Sequence, residues 1–366
     1  MSDRNQDTIS KVLIGVKTPG EAYFRQLIWR KVKIRKSLDE ICHYMELTLP
    51  ESERGKVRKH DMLEVRVFNQ YISESEKNDR KRRITTIMVD EVTSTADASQ
   101  KSLIVMGRSP ARDIIDSAWY GWEPNQKKLE EIANSIVSPF FDAIGIEKFQ
   151  FQGRPHVTRM PWNGTETGPV FSFSWDAESP WTKLINEADN QGYIFTSNEA
   201  GNLYLWRVAP NVRDEGFLLK EGQNIRDIRY TQNGAEQFHE YVIRAAHKEA
   251  SEIDPSCRNN RKKIINLTDI NISQETLERR ARTEMRRRRE NKTQVTVTGW
   301  GLSDQQIKTL GDTNQREIFW CPNFLIPVKI PSLGLNSNLL ISQVEHEASP
   351  SVMETAITLV NKDAYS

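Results

Sequence analysis

Trp29-Arg-Lys-Val-Lys-Ile34 and Leu63-Glu-Val-Arg-Val-Phe68 alternate apolar and polar side chains residue by residue. A β-strand turns successive side chains to opposite faces, so a period of two marks strands with one buried face and one wet face. Working outward, residues 84–92 and 103–106 read as further strands, and the charged stretch 73–83 reads as a connector. Several short strands separated by turn signals point to a small antiparallel barrel or sandwich.

The pattern changes at Gly107. Ser109-Pro110 reads as a helix start, with serine as N-cap and proline at the first helical position, and Ile114, Ile115 and Ala118 as its apolar face. Leu129, Ile132, Ala133, Ile136, Val137 and Phe140 follow the spacing of one face of a second helix. A third begins at Ser179-Pro180, carries Trp181, Leu184, Ile185 and Ala188, and stops at Gly192. Residues 193–196 and 203–206 then form a hairpin. From Gly222 strands return: 224–230 and 238–246 are expected to pair through Asn233-Gly234, a strong hairpin signal. A charged insertion follows, with one helix from about Ser273, before strands resume at Gln294-Val-Thr-Val-Thr298 and continue to residue 359.

The expected fold is therefore α+β and β-rich. Its divisions are a first β-domain over 1–107, an α/β domain over 108–210, a second β-domain over 211–250 and 293–366, and a charged helical insertion over 251–292. No solenoid period is visible, and the two strand-rich regions are compatible with one barrel fold used twice.

Composition narrows the functional classes. The 366 residues carry 51 Lys plus Arg and 50 Asp plus Glu, a net charge of +1, which excludes a whole-molecule basic field for nucleic acid. Counting Gly in and Tyr out raises the 37% hydrophobic fraction to about 39%, below the roughly 45–50% of ordinary globular domains. Small domains, thin sheets or cores completed between subunits account for such a shortfall. Three scattered cysteines, Cys42, Cys257 and Cys321, with no C-x-x-C, suit reduced thiols in a cytoplasm. The opening residues lack the apolar region of a secretory signal, and no apolar run approaches the roughly 18 residues of a spanning helix, so no membrane insertion is expected.

Candidate chemistry is sparse. Residues 103–111 resemble a nucleophile elbow, but the amide after Ser109 that should serve an oxyanion hole belongs to Pro110, which has none. Ser109 therefore reads as a cap at a domain junction. The six histidines stand singly without metal-ligand spacing, and Asp113 and Asp116 have the spacing of an exposed helix face. No phosphate-binding glycine loop occurs, and no cofactor is implied.

One feature is strongly basic. Residues 258–292 hold twelve Lys or Arg and five acids, net +7, leaving −6 for the rest of the chain. Arg279, Arg280, Arg282, Arg286, Arg287, Arg288 and Arg289 are candidates for a contact surface, and a nucleic-acid-binding accessory protein is the alternative reading they support. Against it, 275–279, 278–282 and 284–288 are favourable i, i+4 ion pairs, the successive arginines circle the helix, and no aromatic side chains interleave for base stacking.

The order of several motifs resembles the baseplate central-hub (tail protein) family of Mu-like contractile phages. The matching stretches begin with Val105-Met-Gly-Arg-Ser-Pro-Ala-Arg-Asp-Ile-Ile-Asp-Ser-Ala118, which holds Gly107, Arg108 and Ser109, and residues 129–146. Gly192-Tyr-Ile-Phe195, Gly201-Asn-Leu-Tyr-Leu205 with Asn202, and Glu221-Gly-Gln-Asn-Ile225 with Asn224 come next. Val297-Thr-Gly-Trp300, with Gly299, Trp-Cys-Pro-Asn323, with Trp320 and Pro322, and Leu339-Leu-Ile341 close the series. The family's Asp-Gly before the aromatic step is replaced here by Glu317-Ile318-Phe319.

The resemblance implies a fold like the T-even phage hub and the N-terminal part of type VI secretion spikes. Each subunit would hold two related β-barrels, and a homotrimer would close a ring joining a sixfold tail tube to a threefold spike. DNA would pass through its lumen without specific recognition. The partners implied are tail tube, spike and baseplate wedge proteins, the location is the tail baseplate of a virion assembled in the bacterial cytoplasm, and no catalysis is expected. Gly107, Gly192 and Gly201 would be backbone punctuation, and Trp300 and Trp320 barrel packing.

Overall fold

The structure, a computed structural model, describes residues 11–68, 81–96, 101–128, 158–159, 170–303, 306 and 319–365, apart from 191, 202, 210, 214, 246, 259 and 268–271. The expected helix over 129–140 and the motif residue Asn202 lie outside the described residues.

The first region supplies β1 (Lys11–Lys17), β2 (Arg25–Gln26), β3 (Lys31–Ser37), β4 (Tyr44–Pro50), β5 (Met62–Phe68), β6 (Lys81–Ala96) and β7 (Lys101–Arg108). The alternating stretches of the sequence are β3 and β5, with Val32, Ile34, Leu63, Val65 and Val67 all buried. Two expectations are corrected. The sheet starts at β1, ahead of the first strand named from the sequence at 29–34; its Val12, Ile14 and Val16 alternate and are buried. Residues 81–83 belong to β6 instead of a connector; Arg83 and Arg66 both pair with the Glu64 carboxylate, which lets basic residues sit in the ladder.

The middle region supplies α1 (Arg112–Asp116), β8 (Trp119–Lys128), β9 (Thr158–Arg159), β10 (Val170–Glu178), α2 (Pro180–Asn190), β11 (Ile194–Ser197) and β12 (Leu203–Trp206). β8 pairs antiparallel with β10, and β11 and β12 form the expected hairpin, with β9 parallel to β12. α2 spans the expected residues and is closed by Gly192 at φ 71°, a left-handed position that glycine takes without steric cost.

The last region supplies β13 (Leu219–Lys220), β14 (Asp227–Thr231), β15 (Glu240–Ala245), β16 (Lys248–Ile253), β17 (Lys262–Leu267), α3 (Gln274–Arg289), β18 (Lys292–Thr298), β19 (Leu325–Ile330), β20 (Leu335–Ala348) and β21 (Met353–Val360). The hairpin expected through Asn233-Gly234 does not form. β14 pairs with β18 instead, and β15 pairs antiparallel with β16 and parallel with β17. Residues 232–291 thus leave the main sheet and return to it, carrying their own three-stranded sheet. α3 covers that sheet through Leu277 and Ala281, which pack with Ile243, Ala245, Ala250 and Ile272. The helix expected from about Ser273 forms, and Ser273 caps it by accepting a hydrogen bond from the Thr276 amide.

Among the described residues the main sheet has 13 strands. It runs β14-β18-β21-β20-β3-β4-β7-β6-β5-β1-β2, with β19 on β20 and β13 on β19. Within it a strand order occurs twice. Counted in chain order, strands β1, β3, β4, β5, β6, β7 lie in the sheet as β3-β4-β7-β6-β5-β1, and β13, β14, β18, β19, β20, β21 lie as β14-β18-β21-β20-β19-β13. The correspondence extends to single residues. Met88 of β6 pairs with both β5 and β7, and Leu340 of β20 pairs with both β19 and β21. Each is followed by a bulge that skips one residue, Asp90 in β6 and Ser342 in β20, and each long strand ends in an alanine, Ala96 or Ala348. One ladder differs: β1 is antiparallel to β5, whereas the two-residue β13 is parallel to β19. A single apolar core runs through both units, from Ile14, Ile34 and Val105 to Trp300, Val344 and Leu359.

Candidate functional site

The two units meet where β20 pairs antiparallel with β3, from Gln343 opposite Ser37 to Ala348 opposite Val32. One face of this ladder buries Val32, Ile34, Val344, His346 and Ala348. On the other face Lys31 Nζ meets Glu347 at 2.7 Å and Lys33 Nζ meets Glu345 at 2.9 Å. Both pairs are diagonal, since Glu347 stands opposite Lys33 and Glu345 opposite Arg35; such diagonal ion pairs favour the register, and a slip of one residue would turn the buried row outward.

The motif around residues 107–116 forms the junction between the first unit and the middle region. A Cβ at position 107 would lie 2.3 Å from the Met88 carbonyl oxygen, so only glycine lets β7 approach the β6 bulge. The skipped residue Asp90 receives the Arg108 guanidinium at 2.8 Å and pairs with Arg112, while Arg108 also reaches Asp116 at 2.6 Å. The Arg108 charge holds the Asp116 carboxyl below its usual range. Asp113, beside Arg112, completes the network, so both aspartates of the helix serve as ion-pair partners.

Ser109 is fully buried and its role differs from the one expected. α1 begins at Arg112, with Ala111 in the capping position and no side-chain cap. The Ser109 hydroxyl instead accepts from the His43 amide at 3.1 Å and lies 3.3 Å from the Ser197 hydroxyl, which donates to the Ile41 carbonyl at 2.7 Å. Pro110 next to it lacks an amide hydrogen, and the chain needs a turn before helical bonds can start. Gly201 closes the knot: a Cβ there would lie 2.7 Å from the Pro110 ring. A nucleophilic serine needs exposure and a base, and this hydroxyl is spent on tying β4, β7 and β11 together. Burial pushes the neighbouring Cys42 thiol up to about 12, which makes it unreactive.

In the second unit Trp300 and Trp320 are both 1% exposed. The Trp300 indole donates to the Glu347 carbonyl at 2.9 Å and lies against the His346 ring, beside the β3–β20 ladder. Trp320 packs edge-on against Phe217, with centroids 5.8 Å apart. Gly299, at φ 82°, makes the bend that aims Trp300 inward, and its carbonyl accepts from Thr355 at 2.7 Å. Pro322 and Asn323 form a tight turn. Asn323 takes φ 66°, and its amide side chain accepts from Ala209 N at 2.9 Å and donates to the Arg207 carbonyl at 3.1 Å. It thereby fastens the segment leaving the middle region to β19. Asn224 works similarly, accepting from Lys220 N at 2.8 Å and donating to Leu218 O at 2.7 Å.

His43 and His346 are fully buried, and desolvation pushes both well below the ordinary histidine range, with the Lys36 charge adding to it. Sequence reading treated all six histidines alike. What sets these two apart is the hydroxyl each faces, Thr85 at 2.9 Å and Thr355 at 3.0 Å, a tertiary feature.

The seven candidate arginines of α3 mostly turn inward. Arg279 donates to the Asn190 carbonyl at the end of α2; Arg280 pairs with Asp189 at 2.6 Å and with Glu284 at 3.2 Å. Arg287 lies 3.6 Å from Asp189 and over the Tyr365 ring, and Arg288 binds Glu236 at 3.1 Å and Glu284 at 3.3 Å. Of the three expected i, i+4 pairs, 284–288 forms; Arg282 instead lies 4.0 Å from Glu252. Arg289 remains exposed at the helix end, and Arg286 is half-buried. These charges dock the insertion on the middle region and the C-terminal turn, which leaves few to face a phosphate backbone. Among the described residues no cluster of ligand side chains could hold a metal ion, and no helix is long and apolar enough to cross a membrane.

The mostly antiparallel sheet with its repeated strand order is similar to the fold of solved phage tail proteins. The chain is 23% identical over 342 residues to the baseplate hub protein gp44 of Escherichia phage Mu, covering 86% of this chain and 79% of that one. Its structure is similar to that of the 43 kDa tail protein of prophage MuSo2 from Shewanella oneidensis, with a TM-score of 0.71, 22% identity and coverage of 97% and 99%. A weaker likeness, TM-score 0.54 at 10% identity over 94% and 76%, joins it to the E. coli c3393 protein, a type VI secretion component described as similar to T4 tail proteins gp27 and gp5. No family model matches. The motif order thus led to relatives that are Mu-like tail and hub proteins, with a type VI secretion protein among the structural neighbours.

Proposed function

We propose that this protein is the central hub of a contractile tail baseplate: a homotrimeric ring that adapts a sixfold tail tube to a threefold spike. The observation that carries the reading is the twofold use of one strand order within a chain. Three chains with two like modules each offer six similar edges to a sixfold neighbour while keeping threefold symmetry for the spike. The two modules are read as related β-barrels, with the middle region and the 232–291 unit as insertions outside the ring. The likeness to a Mu hub protein supports this placement in the virion tail baseplate, with tube, spike and wedge proteins as partners.

The work of such a hub is mechanical. DNA leaves through the lumen without sequence recognition, and the protein neither catalyses a reaction nor holds a cofactor. The buried, fully engaged Ser109 and the inward-paired arginines of α3 support this over a hydrolase or a nucleic-acid binder. Light scattering on the purified chain tests it. A particle of three times 42.3 kDa is expected; a monomer at every concentration would end the proposal.

A further inference from the structure

The joint between the units leaves two strand edges whose counterparts are already paired. In the repeated order β6 corresponds to β20, and β14 corresponds to β3. The β20 edge over 343–348 is filled by β3. The corresponding edge of β6, residues 91–96, has β7 on one side and no described strand on the other. β14 likewise has β18 on one side and no described strand on the other.

Burial follows the pairing. In the joint Ile34, Val344, His346 and Ala348 are buried, whereas the corresponding Tyr230 is 43% exposed, Ser94 and Ala96 are exposed, and Val92 is half-buried. Both free edges lack two of the protections that isolated edges use, lysine and proline. Glu91-Val-Thr-Ser-Thr-Ala96 and Asp227-Ile-Arg-Tyr-Thr231 are rich in residues that favour strands.

We infer that β6 of one chain pairs antiparallel with β14 of a second copy, repeating between chains the joint that β20 and β3 make within one. The inference rests on the ring proposed above and gives it a surface and a register. Transferring the β20–β3 register through the repeat sets Thr93 opposite Thr231, Ser94 opposite Tyr230, Thr95 opposite Arg229 and Ala96 opposite Ile228. Val92, Ser94, Ala96, Ile228 and Tyr230 then share the buried face. The other face lacks the Lys31–Glu347 and Lys33–Glu345 pairs, because threonines stand at the glutamate positions. The surface is heterologous, so it closes a ring when the rotation per joint allows it and grows a filament otherwise.

The test is a register-specific disulfide in the full chain. Directly opposed residues in an antiparallel ladder have Cα atoms roughly 4.5–5.5 Å apart, within the range a disulfide spans. Ser94→Cys with Tyr230→Cys is expected to give reducible covalent dimers and trimers on oxidation. The single variants, and Ser94→Cys with Thr231→Cys, whose side chains point to opposite faces, are expected to stay at one chain. Light scattering on the unmodified protein separates the two readings. A trimer whose 94–230 pair does not cross-link overturns the joint and leaves the hub intact. Cross-linking in particles of unlimited size supports the joint and overturns the closed trimer. A monomer without cross-links overturns both. Should the cysteine variant misfold, Ser94→Asp with Tyr230→Asp sets like charges across the ladder and is expected to yield a folded monomer by circular dichroism; a persisting trimer overturns the joint.

Discussion

The two six-strand units share their order but use the same bulge for different ends. In the first, the skipped Asp90 turns outward and binds Arg108 and Arg112, fastening α1 and the middle region to the sheet. In the second, the corresponding Ser342 is buried, its carbonyl accepts from Leu38 N at 2.8 Å, and the bulge seats the β3–β20 joint. Gly107 over the first bulge corresponds to the buried Leu359 in the second unit. A strand order therefore tolerates wide change in what its irregularities hold, provided each irregularity is given a partner.

The largest expected effect breaks the second unit beside its joint. Trp300→Ala should cost about 3–5 kcal/mol, because it empties a buried aromatic site and orphans the Glu347 carbonyl; urea unfolding measures it, and a loss under 1 kcal/mol would show that the tryptophan does not support the joint. The corresponding positions 107 and 359 should fail in opposite senses. Leu359→Ala should cost about 2–5 kcal/mol by leaving a cavity, whereas Gly107→Ala should cost about 1–3 kcal/mol by overfilling one. Equal tolerance at both would contradict the correspondence.

Acid sharpens the contrast through one histidine from each unit. His43 and His346 stay neutral when folded but take protons once unfolded, so their stabilising contribution is present above the usual histidine value of 6.5 and is lost as pH falls below it. Each should add a slope of about 1.4 kcal/mol per pH unit below that point, and His346→Gln should remove one such slope in a pH series of melts. The smallest effect belongs to the exposed pair at the junction. Asp116→Asn should cost under about 1 kcal/mol at neutral pH and nothing once the pH falls well below 3.8, since the lowered carboxyl contributes only while ionised.

Much of the sheet was legible because alternation is a local signal. β3, β5 and the hairpin of β11 and β12 stand where the period of two places them, and α2 and α3 begin at their serine signals. The errors arose where a local signal met a distant partner. Asn233-Gly234 predicts a hairpin, yet β14 pairs with a strand beyond a 232–291 insertion that no turn rule can see. Ser109-Pro110 has the form of a cap, but the His43 amide and the Ser197 hydroxyl claim the serine first. Gly107, Trp300 and Asn323 were visible as motif members; what they do became clear only from the Met88 carbonyl, the Glu347 carbonyl and the 207–209 segment they touch.

The β3–β20 ladder joins residues at opposite ends of the sequence, such as Ile34 and His346. During synthesis the β3 edge must wait, unsatisfied, until residues 343–348 have left the ribosome. A product cut short before β20 would therefore keep β3 as a sticky, templating edge.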